Sequence, residues 1–171
     1  AWFLESNIPW KCLKIHPYLH PDGWRPDGEL VQEVIDIARE LSLPLLIHTG
    51  NESYCYASRF EELYQQHPDI RFILAHGRPN NEAICLAKQY DNVFVDSAFM
   101  PIHEMKMFID NDISHKLLWG TDMCIPKHFY PDVDMQTYYR DKLEAFRAIC
   151  NNDKFYQVTS HNAMKVFQIQ N

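Results

Sequence analysis

Five titratable residues stand at the ends of short apolar runs. His16 follows Cys12-Leu13-Lys14-Ile15, His48 follows Leu45-Leu46-Ile47, His76 follows Phe72-Ile73-Leu74-Ala75, and Asp96 follows Val93-Phe94-Val95. Asp122 comes just past Lys116-Leu117-Leu118-Trp119-Gly120. Imidazole and carboxylate groups bind zinc, manganese or iron, and they move protons near neutral pH. A single histidine at such an ending is ordinarily a hydrogen-bonded structural residue. Repetition at widely separated positions is harder to explain by packing. His48, His76 and Asp122 are therefore the favoured functional group, with His16 and Asp96 as further candidates. His20, His67, His103, His115 and His128 fall in loops or at helix boundaries and read as structural, and His161 beside Asn162 as a cap or packing residue.

Something must bring these endings together. Short β-rich runs alternate with segments of helical periodicity. The expected strands are Cys12–His16, Leu45–His48, Arg71–His76, Asn92–Asp96 and Lys116–Gly120. Leu30, Val31, Val34, Ile35, Ala38 and Leu41 recur at helical spacing, with Asp27 available as N-cap. Further helices are expected from Ala57 to Gln66, from Glu82 to Tyr90, around Met105, Phe108 and Ile109, and from Met135 to Cys150. Ser160 is expected to cap a short closing helix through Val166 and Phe167, and Asp122 to Asp134 to form a long functional loop. Strict alternation implies parallel strands joined by crossover helices, either as a barrel or as an open doubly wound sheet. Both place ligands at the C-terminal ends of the strands, where the five endings would meet. No glycine-rich phosphate loop follows any strand, which removes support for the nucleotide-binding open sheets. No linker or composition shift divides the chain, so residues 1–171 are expected to be one domain.

Composition narrows the partners. The net charge is −7, and no basic stripe offers itself to nucleic acid or an anionic membrane. No apolar run approaches the roughly 20 residues needed to span a bilayer. The five cysteines, Cys12, Cys55, Cys85, Cys124 and Cys150, are odd in number and form no CxxC pair. Free thiols and a cytoplasmic location are expected.

The chain resembles the amidohydrolase superfamily, in particular the amidohydrolase-related metal-dependent hydrolases, which include dicarboxylate lactonases and aromatic-acid decarboxylases. The resemblance rests on Lys14-Ile15-His16-Pro17, Leu45-Leu46-Ile47-His48-Thr49-Gly50, Ile73-Leu74-Ala75-His76-Gly77, Asn92-Val93-Phe94-Val95-Asp96-Ser97, Trp119-Gly120-Thr121-Asp122 and Asn162-Ala163, which occur in the family's order along nearly the whole chain. It implies a TIM (β/α)8 barrel of which this chain supplies strands four to eight, ending in His16, His48, His76, Asp96 and Asp122 respectively. It implies His48 and Asp122 as ligands of a divalent metal, most simply zinc. It implies His76 as a second ligand or a general acid/base beside the metal, and Asp122 as the base that takes a proton from the attacking water. Lys14 and Arg78, near strand ends, and His16 are candidates for binding a substrate carboxylate. The family's first strand carries a His-x-His pair, and no His-x-His occurs in this sequence. A whole barrel needs about 250 residues, so the chain is expected to be the C-terminal part of one, pairing with N-terminal sequence or with another copy.

The expected function is thus hydrolysis of a small carboxylate-bearing amide, lactone or ester through a metal-activated water. Two alternatives remain: a metal-dependent non-oxidative decarboxylase on the same scaffold, and a non-catalytic barrel fragment.

Overall fold

A computed structural model describes residues 5–123 and 125–169. Five strands form one parallel sheet in sequential order: β1 Leu13–Ile15, β2 Leu45–His48, β3 Phe72–Ala75, β4 Val93–Asp96 and β5 Leu117–Leu118. Each strand lies beside its sequence neighbour, in register at Ile15 with Ile47, Ile47 with Leu74, Leu74 with Val95, and Val95 with Leu117. Helices follow the strands: α1 Glu29–Glu40 after β1, α2 Glu61–Gln66 after β2, α3 Asn80–Gln89 after β3 and α4 Ile102–Asp110 after β4. After β5 come α5 Ile125–Phe129, α6 Met135–Ala148 and α7 Asn152–Tyr156. A π-helical turn, Gln157–His161, leads into α8 Asn162–Val166.

Strand alternation sorts the apolar residues into two layers. Leu13, Ile15, Leu45, Ile47, Phe72, Leu74, Val93, Val95 and Leu117 belong to the main core, shared with the helices. The helix α1 contributes Val31, Ile35 and Ala38, whose spacing puts all three on one buried stripe. Full burial of each large aliphatic among these stabilises by about 1.5–3 kcal/mol. The opposite sheet face holds a smaller cluster built on Ile73, Phe94 and Leu118, with Cys12 and Leu46 at its edge. In a closed barrel this face is the interior. Here Val166, Ala163 and Phe167, at the C-terminal end of the chain, pack against it.

Most expected elements form, and the differences have local causes. The segment from Ala57 begins as a 3-10 turn through Phe60 and becomes α-helical only at Glu61. The α1 N-cap is Gly28, without a side-chain cap, because Asp27 is paired with Arg25 instead. Ser160 caps nothing. It lies inside the π-helical turn, and its hydroxyl faces the Met164 sulfur. β5 is short because Ser114–Lys116 forms a 3-10 turn, in which buried Lys116 donates to the Tyr90 and Asp91 carbonyls. The expected loop from Asp122 to Asp134 contains the short helix α5. Among the described cysteines, Cys12, Cys55, Cys85 and Cys150 are free thiols; Cys124 lies outside the described residues. Among the described residues no helix is long and apolar enough to cross a membrane.

Asn162 joins the last helix to the sheet. Its buried amide donates to the carbonyls of Ser114, at 2.8 Å, and Leu117, at 2.7 Å. Asn162→Ala removes a donor from both carbonyls, of which Ser114 keeps the Leu117 N–H, and is expected to cost roughly 1–3 kcal/mol. Urea unfolding of the variant against wild type measures this; a change below about 0.5 kcal/mol, the range of neutral surface substitutions, would show that the amide does not secure the helix.

Candidate functional site

The strand ends bring three histidines into one row. His16 and His48 lie one residue beyond the paired Ile15 and Ile47 on adjacent strands. Their rings stack nearly parallel, with centroids 3.9 Å apart and planes at 13°. The His76 ring crosses His48 at 74°, with centroids 5.0 Å apart. The Tyr18 ring stands steeply inclined to both His16 and His48, with centroids 6.3 and 6.1 Å away. Phe99 stands edge-on to His76 at 5.9 Å and contacts Phe129 of α5 in turn. Phe99 also lines a cavity of about 510 Å3 with Met100, Tyr130, Tyr138 and Lys142. Asp122 follows β5 at the same end of the sheet and acts electrostatically on His16, His76 and Asp96.

The loops that carry these groups are held by the backbone and by small side chains. Thr49 is buried; its hydroxyl donates to the Ala75 carbonyl at 2.6 Å and accepts from the Arg78 N–H at 2.8 Å. This ties the loop after β2 to the loop after β3 and sets where Arg78 starts. The Ser97 hydroxyl accepts from the Gly120 N–H, and the Ser97 carbonyl accepts from the Lys142 ammonium at 3.0 Å. Gly120 lacks a side chain for a clear reason: a Cβ there would overlap the Asp96 carboxylate. His76, Phe99 and Asp122 all have positive φ, at 69°, 58° and 48°. Such backbone is uncommon for residues with side chains and concentrates at functional sites, where the surroundings enforce it.

Electrostatics keeps the imidazoles neutral. Burial lowers the His48 pKa to about 3, with further lowering from His16, His76, Lys14 and Arg78. Burial also lowers His16 and His76; Lys14 acts in the same direction on both, and Asp122 opposes it. Nδ1 of His76 lies 3.2 Å from the Ala98 carbonyl, which can only accept, so Nδ1 carries the proton and Nε2 is left with its lone pair. Nδ1 of His16 and Nδ1 of His48 are buried without a hydrogen-bond partner. Asp96 is raised to about 6 by burial, while the backbone N–H groups of Ala98 and His76 and the Lys142 ammonium work against that rise. Lys142 is lowered to about 8 by burial, opposed by Asp96.

The donor types suit a divalent cation, since neutral imidazole with carboxylate is a common ligand set for zinc and its neighbours. Crossed imidazoles at the His48–His76 spacing can both direct a lone pair at one ion. Among the described residues, however, no three His, Cys, Asp or Glu side chains are gathered closely enough to hold an ion together. The chain therefore presents a pair of donors with a carboxylate nearby, not a closed three-donor site.

His16, His48, His76 and Asp122 thus share one end of the sheet, and Lys14 and Arg78 act on the histidines from nearby. Asp96 is turned toward the backbone and Lys142. Thr49, Ser97, Lys142 and Phe99 are contributors that sequence reasoning passed over. Thr49 and Ser97 directly follow His48 and Asp96, and that adjacency was a usable signal. Phe99 and Lys142 carried none.

The depressed imidazoles have a consequence for stability. Each folded-state pKa lies below the ordinary value of 6.5, so the unfolded chain binds protons first as the pH falls. Their stabilising contribution is complete above about pH 6.5 and is lost as the pH falls toward the folded values, near 3 for His48. The urea midpoint of wild type is expected to drop on going from about pH 7 to about pH 4, and His48→Asn should flatten that drop. Equal slopes for the two proteins would show that His48 is not held neutral.

Two of three comparisons with known proteins find matches, and both agree with this architecture. No curated protein matches the chain. Among solved structures, an uncharacterized TIM-barrel protein, Bb4693 from Bordetella bronchiseptica, superposes with a TM-score of 0.71 at 17% identity, over 92% of this chain and 57% of the other. A dihydroorotase from Campylobacter jejuni superposes with a TM-score of 0.64 at 13% identity, over 99% of this chain and 61% of the other. The chain therefore spans about three-fifths of each of these structures, and its five parallel strands are part of a TIM barrel. The family model described as Amidohydrolase matches residues 11–169, and with that match spanning the strand-end histidines and Asp122, the chain belongs to the amidohydrolase family.

Proposed function

We propose that this chain is the C-terminal, site-bearing part of a metal-dependent hydrolase that opens a small carboxylate-bearing amide, lactone or ester. The amidohydrolase family supports a hydrolase. The observation that carries the finer reading is the His48–His76 pair, with crossed rings 5.0 Å apart and Asp122 at the same end of the sheet. His48 and His76 would supply the gathered donor pair for a divalent metal, most simply zinc, with manganese or iron as substitutes, and Asp122 a further ligand once the barrel is completed. Such an ion, when bound, lowers the pKa of its water and polarises a carbonyl.

The chain's own residues account for the remaining steps. Asp122 accepts the proton released as water attacks the carbonyl carbon. That proton then goes to the departing nitrogen or oxygen, while His76, its Nδ1 proton committed to the Ala98 carbonyl, presents the Nε2 lone pair to the ion. Lys14 and Arg78 give the site a positive field inside a chain of net charge −7. That field suits a substrate carboxylate, bound by Arg78 through its fork of N–H donors and by Lys14 as a point charge. The ring of Phe99 shields His76 from water on one side.

Dihydroorotate, a cyclic amide bearing a carboxylate, is a natural first substrate to assay, followed by simple lactones and amides with zinc or manganese added. The assay compares the chain alone with a form in which the first strands complete the barrel. Turnover is expected mainly from the completed form, since the described residues lack a third gathered donor. In that form Asp122→Asn should lower kcat by about 10²–10⁴-fold, the usual contribution of a positioned acid or base. Undiminished metal binding and turnover in the double variant His48→Ala with Asp122→Ala would overturn the proposal. Carbon dioxide release from a panel of aromatic acids, without hydrolysis, would favour the decarboxylase reading instead.

A further inference from the structure

We propose that His16 is a positioning residue whose ring face orients the His48 imidazole, and that it does not share a metal ion with it. This inference rests on the reading of His48 and His76 as a donor pair.

The first reason is directional. An imidazole nitrogen offers its lone pair in the plane of the ring, and a zinc ion sits about 2.0–2.1 Å away along that direction. The His16 and His48 planes are nearly parallel, at 13°, with centroids 3.9 Å apart. In-plane directions from two stacked rings do not meet at one point, so these two histidines do not share an ion. The His48 and His76 planes cross at 74°, and their in-plane directions can meet.

The second reason concerns what holds each ring still. A ligating histidine is ordinarily oriented by a hydrogen bond from its other ring nitrogen to a carbonyl, carboxylate or water. His76 has that bond, from Nδ1 to Ala98. His48 does not, because its Nδ1 is buried without a partner. Aromatic groups stand against the His48 ring: the face of His16 and the rings of Tyr18 and His76. His16 is well placed for this work. It leaves β1 beside the exit of His48 from β2, and its carbonyl accepts the N–H of Leu19 in the following turn. Stacking on His16 therefore takes the place of the missing hydrogen bond. The same contact explains why a second histidine with a buried, unpartnered Nδ1 is present without joining the donor pair.

The test compares His16→Phe, which keeps a flat ring but has no nitrogen, with His16→Ala, which has neither. Two readouts are taken on the intact chain. One is the set of side-chain proton shifts and the ring mobility of His48, measured by NMR without metal. The other is the affinity for cobalt(II) or zinc(II), measured by titration. The phenylalanine variant should keep the His48 ring ordered and bind metal within a few-fold of wild type. The alanine variant should release the ring and bind about 10–100-fold more weakly, as losses of supporting groups do. Equal loss of affinity in both variants would show that His16 acts through a nitrogen and would overturn the proposal. A His48 ring as ordered in the alanine variant as in wild type would overturn it too. Should wild type bind neither metal, the metal reading of the site falls, and the metal-free NMR comparison decides the role of His16. Circular dichroism checks that each variant folds; where the phenylalanine variant does not, wild type and alanine variant still decide through the ring signals.

Discussion

The in-register parallel ladder is the constraint on which the site depends. Because Ile15, Ile47, Leu74, Val95 and Leu117 are successive partners across the sheet, the positions that leave each strand emerge together along one edge. A parallel strand covered on both faces has no room for unpaired polar side chains along its length. Polar groups are accommodated where the strand stops and the backbone turns toward solvent. The same burial that forces apolar residues into Leu45–Ile47 and Phe72–Ala75 therefore concentrates the imidazoles at one rim.

That rim is held by contacts between loops and not by long side-chain networks. Thr49 links the exits of β2 and β3, and Ser97 links the exit of β4 to Gly120 beyond β5. Asp96 occupies the space that Gly120 leaves open, and Lys142 reaches in from α6 toward the Ser97 carbonyl. These attachments sustain the positive φ of His76, Phe99 and Asp122, which isolated residues of these types would rarely adopt. The unusual backbone and the candidate chemistry coincide, as expected where surroundings over-determine a conformation.

The lower part of the inner sheet face has a different character. Ile73, Phe94 and Leu118 are covered by Val166, Ala163 and Phe167, so a packed apolar floor lies beneath the polar rim. Asn162 fixes that floor to the sheet through two backbone carbonyls. The chain can thus bury much of this surface itself, although among the described residues β1 and β5 each have only one partner.

The sequence by itself determined the alternation of strands and helices and the identity of the residues at the strand ends. These are consequences of local pattern: a run such as Leu45–Ile47 is apolar because it is buried, and His48 ends it because burial ends there. Element boundaries were less legible. The π-helical turn at Gln157–His161 and the loss of Asp27 as a cap depend on partners distant in space or on a competing side chain such as Arg25. What each histidine can do was decided only by the tertiary structure. The stacked His16–His48 contact, the crossed His48–His76 pair and the Nδ1 proton that Ala98 assigns to His76 are relations between different strands and loops. No spacing along the chain encodes them, because ring orientation is set by packing across the sheet and not by position within a strand.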